Sequence, residues 1–159
     1  MKPFLNLKKI VDFKERREGR YEEKYAVVGE IIGAKKLQYS LTIVPPGKTV
    51  CPFHNHRVSE EMFLILEGQG TLRFGSDSFQ IGPFDIIACP PGDKRVAHQI
   101  LNTGKSHLKY LCLGTKEDVE ICEYPDSNKI LSKCFGDREP NFLHISKLSE
   151  VVHYFDGEN

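Results

Sequence analysis

The chain has no tryptophan, only two methionines and no C-x-x-C pair among its 159 residues. No apolar run approaches the roughly 20 residues needed to span a bilayer, so no transmembrane helix is expected. Five cysteines (Cys51, Cys89, Cys112, Cys122 and Cys134) are an odd number without close pairing, which argues against a disulfide framework and against a structural zinc knot. We read them as small core hydrophobes. Cys51 lies three residues before His54, an odd separation that turns it to the opposite face of a straight strand. An excess of charge of one sign is also missing. Lys+Arg and Asp+Glu number 22 each, leaving no basic field for nucleic acid or anionic lipid. The first nine residues, Met1 to Lys9, lack the continuous apolar core of a signal peptide, so the expected location is the cytosol.

What the chain does contain is enough for one domain, since 40% of its residues are hydrophobic. Residues 1–24 read as an N-terminal arm and linker. Phe4, Leu5, Leu7, Ile10, Val11 and Phe13 make the arm apolar, and five basic and four acidic residues between Lys14 and Lys24 read as a solvated loop or exposed helix face. From Tyr25 the pattern changes to short β-branched and aromatic runs punctuated by Gly, Pro, Asn and Asp, the signature of an all-β sandwich or barrel. Strands are expected over 26–32, 37–44, 49–54, 61–67, 70–74, 78–81, 85–89, 97–102, 108–113 and 119–123, with the barrel closing near residue 124. Residues 125–159 form an extension expected to pack on it, with a short helix over Ile145 to Phe155 that places Leu148, Val151, Val152 and Phe155 on one side. Met62 to Leu66 are apolar at every position, as are Ile86, Ile87 and Ala88, so these strands need cover on both faces. A second subunit or a terminal segment would supply it.

The chemistry concentrates between Gly47 and Gly68. Residues two apart in a strand share a face, so His54 and His56 present two imidazoles to one point. A carboxylate at the start of the next strand, Glu60 or Glu61, offers an oxygen donor, and His98 from a separate apolar segment can complete the set. Three imidazoles and a carboxylate suit first-row divalent metals better than calcium or magnesium. The bland alternative is a pair of surface histidines satisfied by water. His107, His144 and His153 lie outside this pattern and read as surface or packing residues. Arg57, Lys94 and Arg95 flank the ligand segments and read first as solvated loop charge, second as contacts for an anionic substrate.

These residues resemble the cupin superfamily, small double-stranded β-helix barrels of the jelly-roll type. Gly47, His54, His56, Glu61 and Gly68 follow the family's first motif, with six residues between Gly47 and His54 where five are usual. Pro90-Pro91-Gly92, His98 and Asn102 follow the second. Five residues separate Gly92 from His98 where two are usual, and Phe84 stands where a glycine is expected before Asp85. The step from Glu61 to Gly68 selects Glu61 over Glu60, with Glu61, Phe63 and Ile65 then sharing the inner face.

The resemblance implies a single-domain cupin, near those described as sugar-phosphate-isomerase-like, that binds one divalent ion (zinc, nickel, iron, manganese or cobalt) through His54, His56, Glu61 and His98. It also implies a homodimer. The expected function is a metal-dependent enzyme, an isomerase or a relative using Lewis-acid chemistry on a sugar-like compound or keto or hydroxy acid. A non-catalytic metal- or small-molecule-binding sensor and an iron-dependent dioxygenase are the alternatives, because this fold hosts many reactions. Gln38, Tyr39, Glu67 and Tyr110 are candidate bases by strand position.

Overall fold

A computed structural model of the chain describes residues 3–136 and 139–158; Met1, Lys2, Asp137, Arg138 and Asn159 lie outside the described residues, so the expected arm and extension are seen from Pro3 and as far as Glu158. The order of elements is β1 (Lys14–Glu18), β2 (Tyr21–Val27), α1 (Val28–Ile32), β3 (Leu37–Val44), β4 (Asn55–His56), β5 (Glu61–Glu67), β6 (Gly70–Phe74), β7 (Asp77–Ile81), β8 (Ile86–Cys89), β9 (His98–Leu101), β10 (Leu108–Thr115), β11 (Val119–Tyr124), β12 (Lys129–Gly136) and β13 (Glu139–Lys147). Three antiparallel sheets result, ordered β1-β2-β3-β10-β5-β8, β13-β12-β11-β4 and β7-β6-β9. The fold is all-β, as the strand spacing predicts, and is the double-stranded β-helix that the cupin resemblance implies.

The core is the alternate face of these strands. Phe63 and Ile65 from β5, Leu72 from β6, Ile81 from β7, Ile87 and Cys89 from β8, Ile100 from β9 and Leu108 and Tyr110 from β10 form one buried cluster with Val44. Phe63 meets Tyr110 edge-on at 5.7 Å between ring centroids and His98 at 5.9 Å, which ties the apolar interior to the histidine segment. Asn102 closes the bottom of the site strand: its side-chain amide donates to the carbonyls of Val44 (2.7 Å) and Ser106 (2.9 Å).

Several local expectations are corrected. Residues 14–24 are a strand hairpin rather than a loop or helix face, because its charges stand directly opposite one another. Arg16 pairs with Glu23 at 2.7 Å, Arg17 with Glu22 at 3.1 Å and Lys24 with Glu15 at 2.8 Å. The strand expected over 26–32 ends at Val27 and turns into α1, stopped by Gly33 at φ 79°. Residues 49–54 supply isolated bridges at Thr49 and His54 instead of a continuous strand. The helix expected over Ile145 to Phe155 is absent. β13 runs to Lys147, and Val151, Val152 and Phe155 remain 82%, 71% and 67% exposed, so no apolar partner rewards a helical stripe. Phe84, in the place of a glycine, adopts the left-handed backbone at φ 73° and is 84% exposed. A hydrogen bond from its amide to the Ile65 carbonyl (2.8 Å) pins that turn against β5.

Candidate metal centre

Two backbone hydrogen bonds, His54 N to His98 O (3.1 Å) and His98 N to His54 O (2.7 Å), hold these histidines opposite each other across an antiparallel bridge. The lengthened loop before His98 does not displace it, because Lys94–Val96 coil into a 3-10 turn capped by the Asp93 side chain. His56 follows on β4, paired with Cys122 of β11, and Glu61 opens β5 on its inward face. The sequence-predicted set therefore comes together. One ligand atom from each of His54, His56, Glu61 and His98 lies within 4.8 Å of every other. Glu61 Oε2 is 3.2 Å from His98 Nε2, 3.4 Å from His56 Nε2 and 4.0 Å from His54 Nε2. Glu60 is exposed and outside the set, as are His107, His144 and His153.

The hydrogen bonds behind the rings decide which nitrogen faces inward. His54 Nδ1 lies 2.9 Å from the Pro52 carbonyl and His98 Nδ1 3.3 Å from that of Val96. A carbonyl only accepts, so in the neutral ring Nδ1 carries the hydrogen and the Nε2 lone pair points to the centre. Lone pairs and a carboxylate oxygen then converge on one point, an arrangement that calls for a cation. His56 Nε2 is buried without a hydrogen-bond partner. The donor set and this orphaned nitrogen fit a divalent transition ion, which His54, His56, Glu61 and His98 would hold.

The electrostatics of these four residues agree. Burial, reinforced by the neighbouring His98 and His56, pushes His54 down to about 4 and keeps it neutral. Burial opposes charge on Glu61, but the neighbouring His56 and His98 outweigh it and hold the carboxyl well below its usual range. Burial likewise opposes charge on His56, yet its interactions with Cys122 and Glu61 win and raise it to about 10.

Around this centre Tyr124 stacks on His54 at 6.2 Å between centroids, and burial raises its hydroxyl to about 12. Of the flanking cations, Arg57 is engaged by Glu123 at 2.7 Å and Arg95 by Asp93 at 2.9 Å, in keeping with loop charge. Among the candidate bases, Glu67 is exposed and pairs with Lys109 at 3.3 Å, while burial lifts the Tyr110 hydroxyl well above its ordinary value. Cys51 is not in the ligand set, and burial pushes its thiol up to about 12. The sequence reading missed Glu120 and Cys122, which stand behind His56: Glu120 Oε2 and Cys122 Sγ are each 3.3 Å from His56 Nδ1. The available signal was Glu120 itself, an acidic residue between Val119 and Ile121 on a strand whose alternate positions include Cys122.

Residues 40–114 match the family model described as "Cupin domain". An uncharacterized protein of Methanocaldococcus jannaschii is 38% identical over 85 residues, 51% of this chain, and the chain spans 65% of that protein's length. Auxin-binding protein 1 of Arabidopsis thaliana is 31% identical over 110 residues, 63% of this chain and 53% of that protein. In fold, the chain is similar to the structure of a sugar phosphate isomerase from a cupin superfamily of Silicibacter pomeroyi, with a TM-score of 0.78 over 97% of this chain and 98% of that one at 20% identity. The family match identifies residues 40–114 as a cupin domain, in keeping with the double-stranded β-helix around the His54–His98 bridge.

Proposed function

We propose that this cupin is a metal-dependent enzyme acting on a small, oxygen-rich compound, a sugar derivative or a keto or hydroxy acid, by isomerisation or a related proton transfer. The observation that carries the reading is the convergence of His54, His56, Glu61 and His98, whose ligand atoms all lie within 4.8 Å of one another. A bound divalent ion would supply Lewis acidity toward a carbonyl or hydroxyl. His54 and His98 offer their Nε2 lone pairs because carbonyls occupy Nδ1, Glu61 brings the compensating negative charge, and Phe63 and Tyr110 exclude water beneath the site. A second reading, a non-catalytic metal- or small-molecule-binding sensor, draws on the Tyr110 hydroxyl, which holds its proton far above neutral pH and is a poor base. We also propose a cytosolic homodimer joined through the outer face of the six-stranded sheet, where Ile86 is 68% exposed.

Elemental analysis of the purified protein, then a panel of sugar phosphates, keto acids and phenols with metal restored, tests these readings. Turnover that disappears in His54→Ala and His56→Ala supports the enzyme. Tight binding without turnover transfers the assignment to the sensor, and oxygen consumption with iron to a dioxygenase.

A further inference from the structure

Behind His56, on the side away from Glu61, lies a second cluster of His56, Glu120 and Cys122. Glu120 is 1% exposed, yet both carboxylate oxygens are engaged. Oε1 accepts from the amides of Arg57 (3.2 Å), Val58 (3.2 Å) and Ile121 (2.9 Å), and Oε2 from that of Ser59 (2.8 Å). With its lone pairs committed to backbone donors, this carboxylate is poorly placed to ligate an ion of its own. It is a fixed buried anion. Three of those amides belong to the loop from Arg57 to Ser59, which links His56 at the end of β4 to Glu61 at the start of β5.

Besides the Ser59 side chain, the anion faces His56 Nδ1, 3.3 Å from Oε2, with the Cys122 sulfur hydrogen-bonded to the same nitrogen at 3.3 Å. Negative charge beside Nδ1 favours the hydrogen on that atom and leaves Nε2 with a lone pair directed at Glu61. Carbonyls do this for His54 and His98; His56 uses a carboxylate and a thiol instead. We infer that Glu120 is a positioning residue that fixes the Nδ1–H form of His56 and, by gathering the Arg57–Ser59 amides, the spacing between His56 and Glu61. The inference rests on the reading of His54, His56, Glu61 and His98 as ion ligands.

Zinc alone is the probe. The dissociation constant of the wild-type chain is compared with that of Glu120→Gln by chelator competition, while circular dichroism reports the fold and long-range 1H–15N spectra report the protonated nitrogen of His56. In folded Glu120→Gln zinc should bind about 10–100-fold more weakly, and the hydrogen of neutral His56 should move to Nε2, facing Glu61. A folded variant with affinity within about twofold of wild type overturns the inference. So does weakened binding with the His56 hydrogen still on Nδ1, since Glu120 would then be only a brace for the loop. Should Glu120→Gln not fold, the wild-type protein decides: the neutral form of His56 must carry its hydrogen on Nδ1, and a hydrogen on Nε2 instead overturns the assignment. A wild-type chain that takes up no zinc removes the ligand reading itself, an outcome distinct from wild-type uptake with no effect of the variant.

Discussion

Raising the pH from 7 to 8.5 over chelator-treated protein supplied with zinc perturbs one group in the ion-free pocket above all. His56 stands at about 10, while His54 is already neutral with its value near 4 and Glu61 already ionised. An incoming ion must displace the His56 proton. One proton per ion makes the apparent dissociation constant fall tenfold per pH unit, so zinc should bind about 30-fold more tightly at pH 8.5 than at pH 7, a gain of roughly 2 kcal/mol. The effect on ion-free stability has the opposite sign. His56 has a folded value raised above its ordinary 6.5, so its proton-linked stability is complete below pH 6.5 and is lost as the pH rises through about 10. Chelated protein should therefore lose about 2 kcal/mol between pH 7 and 8.5, on the order of 4–8 °C in Tm for a chain of this size. Zinc-loaded protein should be spared that loss. Competition with a chromophoric chelator, corrected for the chelator's own protonation, measures the affinity, and calorimetry in buffers of different ionisation enthalpy counts the proton. Affinity that stays flat across this interval would refute the reasoning.

Gly68 is at φ +83°, and a Cβ there would collide with the His107 carbonyl oxygen and meet Leu108 Cα at 2.9 Å, so Gly68→Ala should cost about 2–4 kcal/mol in urea unfolding. Gly19→Ala, at φ +59° with open space around it, should cost only about 1 kcal/mol and serves as its control. Ile86→Asp places charge on the exposed apolar edge of β8 and should convert a dimer to a monomer in light scattering, with zinc binding unchanged. A wild-type chain already monomeric at micromolar concentration would dispose of the dimer.

The barrel strands were legible because their side chains meet two different environments. Glu61–Glu67 and Gly70–Phe74 emerge with the expected bounds, and the inward alternation of Glu61, Phe63 and Ile65 follows directly from the pleat. The convergence of the four candidate residues was legible for the same reason, as His-x-His on an extended segment points two rings one way. The β1–β2 hairpin was not, because β1 is exposed at all five positions and shows no apolar alternation; opposite charges across the strands replace it. β12 and β13 were also missed. Their hairpin extends the sheet from β11 and leaves Phe142, Leu143 and Ile145 more than half exposed, so little burial marks one face. Glu120 was hidden for another reason: its role depends on amides 61 to 63 residues away, a closure that only the fold creates.

The most direct test is the metal content of the purified chain after exposure to zinc, nickel, iron, manganese or cobalt, measured beside His54→Ala and His56→Ala. About one divalent ion per wild-type chain is expected, with sharp loss in both variants while their circular dichroism remains that of a folded β protein. Wild-type protein that retains none of these ions, or variants that retain them fully, would contradict the assignment of His54, His56, Glu61 and His98 as a metal centre.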